Sequence, residues 1–257
     1  MAERSKKIKN FKKGLIIAAA VKYCIYAGVL LWGVFALAVR DPEGRASGHE
    51  TERVLALNEL ELSFLKSGLV DVNHLDPEIA VKLKYSSTDN FTGANLYGGL
   101  QRAYLQREAA EMLAKASARL RELYPGYRLL VADAARPLSV QKVMYSFVKN
   151  TPRQWYIANP GRTSIHNYGA AVDLTILDSS GEKLDMGTPL DYFGPLAEPR
   201  REQEFLESGK LTEDQVANRG KLRDVMIYAG FIPLSIEWWH FNAFNRETTL
   251  SRYELIE

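Results

Sequence analysis

The sequence contains very little cysteine and little histidine. Cys24 is the only cysteine among 257 residues, and there are four histidines. A single cysteine cannot form an intrachain disulfide, and it excludes the cysteine-rich zinc sites of small structural domains. Any metal site in this chain must therefore be built from histidine, aspartate and glutamate.

The chain also lacks a large excess of charge of either sign, since its net charge is +2. The first 40 residues hold eight Lys and Arg against Glu3 alone, and the remaining 217 residues carry a net charge of −5. A folded region without a cationic surplus does not neutralise phosphates, so the composition argues against nucleic acid as a partner. A composition that is 46% apolar and 25% charged likewise excludes a disordered or multi-span membrane protein.

One long apolar run covers residues 15–39 and is interrupted only by Lys22. As a helix it reaches roughly 37 Å, enough to cross a hydrocarbon core of about 30 Å. The basic segment 1–14 precedes it, so the positive-inside rule predicts that 1–14 is cytoplasmic and that the folded part lies outside, in the cell envelope. We therefore expect a transmembrane anchor, with secretion after cleavage at Ala36-Leu37-Ala38 as the alternative.

The rest of the chain divides into a tether and one domain. Residues 40–52 are polar, contain Pro and Gly, and show no apolar period, which is typical of a linker. Residues 53–257 mix helical and strand patterns without a regular alternation, and the turn at 178–181 favours antiparallel neighbours. The predicted class is α+β, a single compact domain with a small mixed or antiparallel sheet and flanking helices.

Apolar periodicity places the individual elements of this domain. The predicted helices are 54–65, 101–124, 139–148 and 212–229, and the predicted strands are 79–85, 129–131, 170–177 and 231–241. Long loops are expected at 86–99 and 150–162, and long loops in compact domains are often functional.

Two of the four histidines lie beside acidic residues in apolar strands. His49 falls in the tether and His74 in a polar loop, and neither context indicates chemistry. His166 lies in a turn before a strand that contains Asp173, and an acid in an apolar strand costs several kcal/mol unless a cation or hydrogen bonds compensate it. His240 lies near the end of the predicted strand 231–241, after Glu237-Trp238-Trp239, and the other residues of this strand are mostly apolar or aromatic. Asp173 therefore needs a partner, and the two imidazoles are available.

Together, His166, Asp173 and His240 predict one tetrahedral Zn²⁺ site per chain with its fourth position open, as in catalytic zinc sites. Glu237 then remains as a free base that takes a proton during attack on a carbonyl. Residues i and i+3 of a regular strand point to opposite faces, so Glu237 and His240 converge only if the strand is bulged, bent or ending there. The pattern indicates hydrolysis.

Arg136 follows an apolar strand directly into a loop, in Asp133-Ala134-Ala135-Arg136-Pro137. A guanidinium at such a position can face a carbonyl oxygen that gains charge during the reaction. The alternatives are a plain surface arginine or a salt bridge to Asp133.

Two motifs carry a resemblance to a known family. They are Ser164-x-His166-x-x-Gly169-x-Ala171-x-Asp173 and Glu237-x-Trp239-His240. In order and spacing they resemble the zinc D-alanyl-D-alanine dipeptidases of peptidase family M15, which include the vancomycin-resistance dipeptidases. Residues 85–93, 133–137 and 186–193 extend the likeness, which covers roughly residues 75–245.

The resemblance implies a compact α+β fold shared with other cell-wall amino-acid hydrolases. It implies that His166, Asp173 and His240 bind zinc. It also implies that Glu237 acts as general base and then acid, and that Arg136 stabilises the tetrahedral intermediate.

For the substrate, the resemblance implies D-Ala-D-Ala or a close D-amino dipeptide, with Asp191 binding the substrate amine and Ser164 also contributing to binding. A carboxypeptidase of the same fold, acting on peptidoglycan stem peptides, is the nearest alternative. It would leave the amine side open to a longer chain. An alternative of another class is a non-catalytic cell-wall-binding domain.

Overall fold

The structure, a computed structural model, describes residues 57–257. The predicted cytoplasmic segment 1–14, the apolar helix 15–39 and the tether 40–52 lie outside the described residues, as do the first residues of the predicted domain 53–257. Within 57–257, no helix combines the length and the apolar character needed to cross a membrane.

In this described part of the chain, seven strands form two sheets. The strands are β1 Val70–Asp71, β2 Ala80–Val81, β3 Tyr104–Leu105, β4 Arg128–Asp133, β5 Ala171–Leu177, β6 Ile232–Leu234 and β7 Glu237–Asn242. The larger sheet has five strands in the order β2-β4-β5-β7-β6, and β1 pairs with β3 in a separate two-stranded sheet. Only β2 and β4 are parallel in the larger sheet, so the sheet is mixed, as predicted.

Six α-helices between residues 57 and 257 flank these sheets. They are α1 Glu59–Lys66, α2 Arg107–Leu123, α3 Leu138–Val148, α4 Glu202–Glu207, α5 Glu213–Ala229 and α6 Arg246–Arg252. Helices α2 and α5 pack against each other, and α2 also packs against β4. Every residue of β5 is buried, which places this strand at the centre of the domain. The predicted α+β class is confirmed for this domain.

The ends of α5 show why the sequence predicted this helix well. The Thr212 hydroxyl accepts a hydrogen bond from the Gln215 backbone N–H, and the Gln215 side chain caps Thr212 in return. Such a capping box satisfies backbone donors that the first helical turn leaves free. Gly230 ends the helix at φ 104°, in the left-handed region that glycine occupies without strain.

Three predicted boundaries were wrong for reasons of tertiary pairing. The helix predicted from residue 101 begins at Arg107, because Tyr104–Leu105 pairs with β1. The strand predicted at 79–85 is paired over Ala80–Val81 and then turns into a 3₁₀ helix, Lys84–Ser86. The single strand predicted at 231–241 is a hairpin, in which residues 235–236 connect β6 to β7.

Candidate active site

Three neighbouring strands place polar residues side by side at the centre of the larger sheet. Asp133 on β4 is the register partner of Asp173 on β5, and Asp173 is the partner of His240 on β7. Side chains directly opposite each other on antiparallel strands share a face. His240 Nδ1 accordingly lies 3.0 Å from Asp173 Oδ1.

A short 3₁₀ turn, Ile165–Tyr168, brings His166 to the same place. The Ser164 hydroxyl accepts a hydrogen bond from the His166 backbone N–H at 3.4 Å, and the Asn167 side chain accepts one from the Ser164 N–H at 2.7 Å. The turn ends at Gly169 with φ 65°, where an added Cβ would lie 2.7 Å from Leu69. Sequence and packing therefore fix the position of the imidazole before β5 begins.

The three predicted metal ligands converge. His166 Nε2 lies 3.1 Å from His240 Nδ1 and 3.3 Å from Asp173 Oδ2. The other ring nitrogen of each histidine is 2.7 to 2.9 Å from an oxygen that accepts, namely Ala134 O for His166 and Asn242 Oδ1 for His240. These outer contacts orient both rings, so that His166 Nε2 and His240 Nδ1 are the nitrogens that face Asp173 and are available to a metal.

Three side chains that can each donate an electron pair thus face one space, as the ligands of a metal ion do. Metal bonds of about 2.0–2.1 Å at tetrahedral angles would hold such donors about 3.3 Å apart, close to the distances observed here. His166, Asp173 and His240 therefore form a possible metal site. Burial opposes ionisation of Asp173, but without a metal the positive charge and hydrogen bonds that His166 and His240 can supply outweigh burial and lower the pKa of this carboxyl.

A bulge in β7 brings Glu237 to the same site. Leu234 pairs with Glu237 and Pro233 pairs with Phe241, so residues 238–240 are extra relative to β6. The sequence predicts that positions 237 and 240 converge only if the strand is irregular, and the bulge meets this requirement. As a result, Glu237 Oε2 lies 4.0 Å from His240 Nδ1. Burial raises the pKa of Glu237 to about 8, and the negative charges of Asp173 and Asp191 add to the shift.

Arg136 is buried and lines the same cavity. Its Nε and Nη2 donate to Asp133 Oδ2, the former at 2.9 Å, and its Nη1 donates to Gln141 Oε1 at 2.8 Å. Nη2 also lies 3.6 Å from Asp173 Oδ2. The salt bridge to Asp133 is therefore present, whereas the surface-arginine alternative was wrong. Two of the five N–H groups of this guanidinium have no hydrogen-bond acceptor among residues 57–257.

Asp191 lines the cavity from a separate segment. Its Oδ2 accepts a hydrogen bond from the Tyr85 hydroxyl at 2.8 Å, and its backbone adopts φ 60°. Burial raises the pKa of Asp191 to about 6, and the charge of Asp173 acts in the same direction. Ser164 also lines the cavity, but its hydroxyl is occupied as the cap of the His166 turn.

The segment that carries Asp191 is held at both ends by Arg219 of α5. Arg219 is 1% exposed, and it donates from Nε to Met186 O at 2.7 Å and from Nη2 to Leu196 O at 3.0 Å. The two carbonyls lie on either side of residue 191 in the chain. Helix α5 therefore fixes the position of this loop.

The cavity has a volume of about 260 Å³. Pockets for drug-sized ligands are about 300–1,000 Å³, so this one suits a small substrate. Several residues that line or support the cavity were not predicted to have a role: Tyr85, Tyr97, Gln141, Asn242 and Arg246. Only Tyr85 had a signal in the sequence, because it begins the family-like segment 85–93. Their contributions depend on contacts between distant parts of the chain.

Comparison with known proteins identifies the family. The sequence profile of the family described as D-ala-D-ala dipeptidase matches residues 65–254. The chain belongs to this family. The resemblance predicted from the two motifs is thereby confirmed, and the matched range includes every residue of the site described above.

Three relatives of this member of the D-ala-D-ala dipeptidase family are each named D-alanyl-D-alanine dipeptidase. The protein from Escherichia coli (strain K12) is 32% identical over 173 residues, which cover 67% of this chain and 83% of the relative. The Enterococcus faecium protein is 32% identical over 178 residues, covering 62% and 82%, respectively. The Streptomyces coelicolor protein is 28% identical over 190 residues, covering 66% and 88%. The chain is therefore an enzyme of a peptidase family, which disfavours a non-catalytic wall-binding domain.

Proposed function

We propose that this chain hydrolyses D-alanyl-D-alanine or a closely related D-amino dipeptide, with one Zn²⁺ held by His166, Asp173 and His240. The observation that carries the proposal is the convergence of the three side chains, whose facing nitrogen and oxygen atoms lie 3.0 to 3.3 Å apart. Two imidazoles and a carboxylate are a donor set that suits zinc and leaves a position open. When bound, zinc lowers the pKa of a water to about 7 and polarises the substrate carbonyl.

Glu237 takes the proton of the attacking water and passes it to the departing amine. Its position supports this role, because the carboxyl lies beside the ligand set without belonging to it. A base works best when its pKa is near the working pH, and the burial of Glu237 moves the pKa in that direction.

Arg136 donates to the carbonyl oxygen as negative charge develops there. Its contacts with Asp133 and Gln141 fix the guanidinium before the substrate arrives, so no reorganisation is needed during the reaction. The two N–H groups that remain without an acceptor within the described residues support this role.

Asp191 binds the substrate ammonium. A D-Ala-D-Ala zwitterion presents this group about one residue from the scissile carbonyl, and an enzyme restricted to dipeptides needs an anion there. The Tyr85 hydroxyl holds the carboxylate of Asp191 at the cavity wall. Ser164 lines the cavity beside the His166 turn, so it forms part of the surface that the substrate contacts.

A second cavity favours the alternative of a peptidoglycan stem-peptide carboxypeptidase. It has a volume of about 490 Å³ and shares four lining residues with the active-site cavity: Trp155, Tyr156, Phe193 and Ile236. Trp155 is 80% exposed at this shared wall. A longer peptide could extend into this space beyond the dipeptide.

The deciding experiment incubates the purified full chain, loaded with zinc, with D-Ala-D-Ala, N-acetyl-D-Ala-D-Ala and a stem pentapeptide. Product analysis should show cleavage of the free dipeptide and little cleavage of the other two. If the pentapeptide is cleaved as well as the free dipeptide, the carboxypeptidase function takes the place of the proposed dipeptidase function.

We also propose that residues 15–39 anchor the chain in the membrane with the enzyme domain on the outer side of the envelope. The support is the basic segment 1–14 before a 25-residue apolar run. A reporter fused after Glu257 should be active only if exported. Amino-terminal sequencing of the mature protein separates an anchored form from one cleaved after Ala38.

A further inference from the structure

A dipeptide zwitterion is charged at both ends, and the roles given above supply a partner only for its ammonium. The side chains that line the active-site cavity include two guanidinium groups and no ammonium group, within the described residues. Arg136 is one of them, but it is paired with Asp133 and lies near Asp173. Its charge is largely compensated by these two carboxylates. Arg246 is the other.

We propose that Arg246 binds the α-carboxylate of the substrate and so restricts the enzyme to peptides with a free C-terminus. This inference rests on the proposed exopeptidase function, since an endopeptidase would have no carboxylate to place there. A guanidinium is well suited to this role because it remains charged and donates several hydrogen bonds to an anion.

The position of Arg246 follows from the end of the central hairpin. It is the first residue of α6 and follows the last residue of β7 by four positions. The Asn245 side chain caps this helix by accepting a hydrogen bond from the Thr248 N–H at 2.8 Å. The strand that carries Glu237 and His240 thus leads directly to Arg246.

The wall of the cavity holds the guanidinium in place. Nη2 donates to the Arg162 carbonyl and, at 3.3 Å, to Thr163 Oγ1, and Nη1 donates to the Thr163 carbonyl at 3.3 Å. Thr163 lies three residues before His166 and has φ 58°. The guanidinium is therefore ordered next to the turn that carries a metal ligand, before any substrate binds.

The charge of Arg246 is available to a ligand. Its hydrogen-bond partners are neutral oxygens, and it forms no ion pair with a carboxylate in the described part of the chain. Three of its five N–H groups are used in these contacts, which leaves two for a substrate oxygen.

Arg246 and Asp191 are held by different segments of the wall. Asp191 is fixed through Tyr85, and Arg246 through Thr163. No hydrogen bond or ion pair between these two side chains is found within residues 57–257. An anion and a cation that do not neutralise each other in one small cavity match the two charged ends of a free dipeptide.

The test compares D-Ala-D-Ala with its C-terminal amide in the zinc-loaded full chain. Arg246→Ala should lower kcat/KM for the free acid by about 10- to 100-fold, the range expected for a lost hydrogen bond to a charged group. The amide should be cleaved equally by both proteins. Arg246→Lys should recover part of the preference for the acid, because it restores the charge without the planar group.

Arg252→Ala is the matched control. Arg252 lies on the same helix, but its guanidinium pairs with Glu108 at 2.6 Å and does not line the cavity. This variant should retain the wild-type preference for the free acid. An equal loss for acid and amide in Arg246→Ala would overturn the proposal, since it would mean that Arg246 only supports the 162–163 loop.

Calorimetric binding in a Glu237→Gln background separates this inference from the proposed function. The Glu237→Gln protein should bind the free acid more tightly than the amide, and the double variant with Arg246→Ala should bind both equally. This result would support the carboxylate site even if the wild type failed to hydrolyse D-Ala-D-Ala. If the wild type hydrolyses D-Ala-D-Ala but Arg246→Ala leaves the preference for the acid over the amide unchanged, the role of Arg246 is rejected. The proposed dipeptidase function then still stands. Failure of the acid to bind preferentially in the Glu237→Gln protein would also reject it.

Discussion

Asp191→Asn is the substitution that most directly probes recognition of the substrate amine. The change removes one negative charge and keeps the size of the side chain. The Tyr85 hydroxyl, 2.8 Å from Asp191 Oδ2, retains an oxygen to which it can donate. The hydrogen bonds of the proposed ligands His166, Asp173 and His240 go to groups other than Asp191, so the metal site should be unaffected.

The expected loss follows from leaving the substrate ammonium without its anion in a buried pocket. Such a change costs about 2 to 5 kcal/mol. At 1.36 kcal/mol for each factor of ten, kcat/KM for D-Ala-D-Ala should fall by roughly 30-fold to several thousand-fold. Removal of this charge also lowers the pKa of Glu237, because Asp191 is one of the groups that raise it.

The assay is kcat/KM for D-Ala-D-Ala as a function of pH, with zinc content measured on the same samples. The base must be deprotonated, so activity rises with pH through the pKa of Glu237, and this limb should move to lower pH in Asp191→Asn. Unchanged kcat/KM at full zinc content would refute the assignment of Asp191 to the amine. Loss of zinc would mean that Asp191 acts on the metal site instead.

The remaining predictions concern the metal site and the groups beside it. His166→Ala and His240→Ala should each lose the single zinc, and wild-type stoichiometry in both by metal analysis would reject the ligand set. Glu237→Gln should keep zinc but lose about 10²- to 10⁴-fold in kcat, whereas loss of zinc would make Glu237 a ligand. Arg136→Ala should keep zinc and lose roughly 10²- to 10³-fold in kcat, and an unchanged kcat would contradict its role towards the carbonyl oxygen. In metal-free protein, the raised pKa of Glu237 means that the folded state binds more protons than the unfolded state between about pH 4.5 and 8. The free energy of unfolding should therefore fall as pH rises through that window. Denaturant titrations should show a smaller fall for Glu237→Gln, which has no carboxyl to titrate.

Local pattern predicted much of the site, because several essential neighbours are close in sequence. Asp173 follows His166 by seven residues, and the turn and strand between them could be read from composition and alternation. Asp133 and Arg136 are three residues apart, and this spacing predicted their salt bridge as one alternative for Arg136.

What periodicity could not predict depends on long-range pairing. The register of Asp133, Asp173 and His240 joins three strands that are far apart in the chain. Residues 231–241 gave one apolar run, with no Asn-Gly or Asp-Gly pair to indicate that residues 235–236 form a hairpin turn. The bulge that follows, on which the position of Glu237 depends, arises from the pairing of β7 with β6 and has no signature in local composition.

The register of β5 against β7 has a consequence for folding. Asp173 and His240 are exact partners, and a slip of one residue would turn Asp173 to the opposite face of the sheet. A misaligned molecule would have two ligands at most and would bind metal poorly. Because a ligand that binds only the native state stabilises that state by mass action, zinc would favour the correctly aligned sheet during refolding. The fraction of chains that regain metal would then report the yield of correct strand alignment, without any measurement of catalysis.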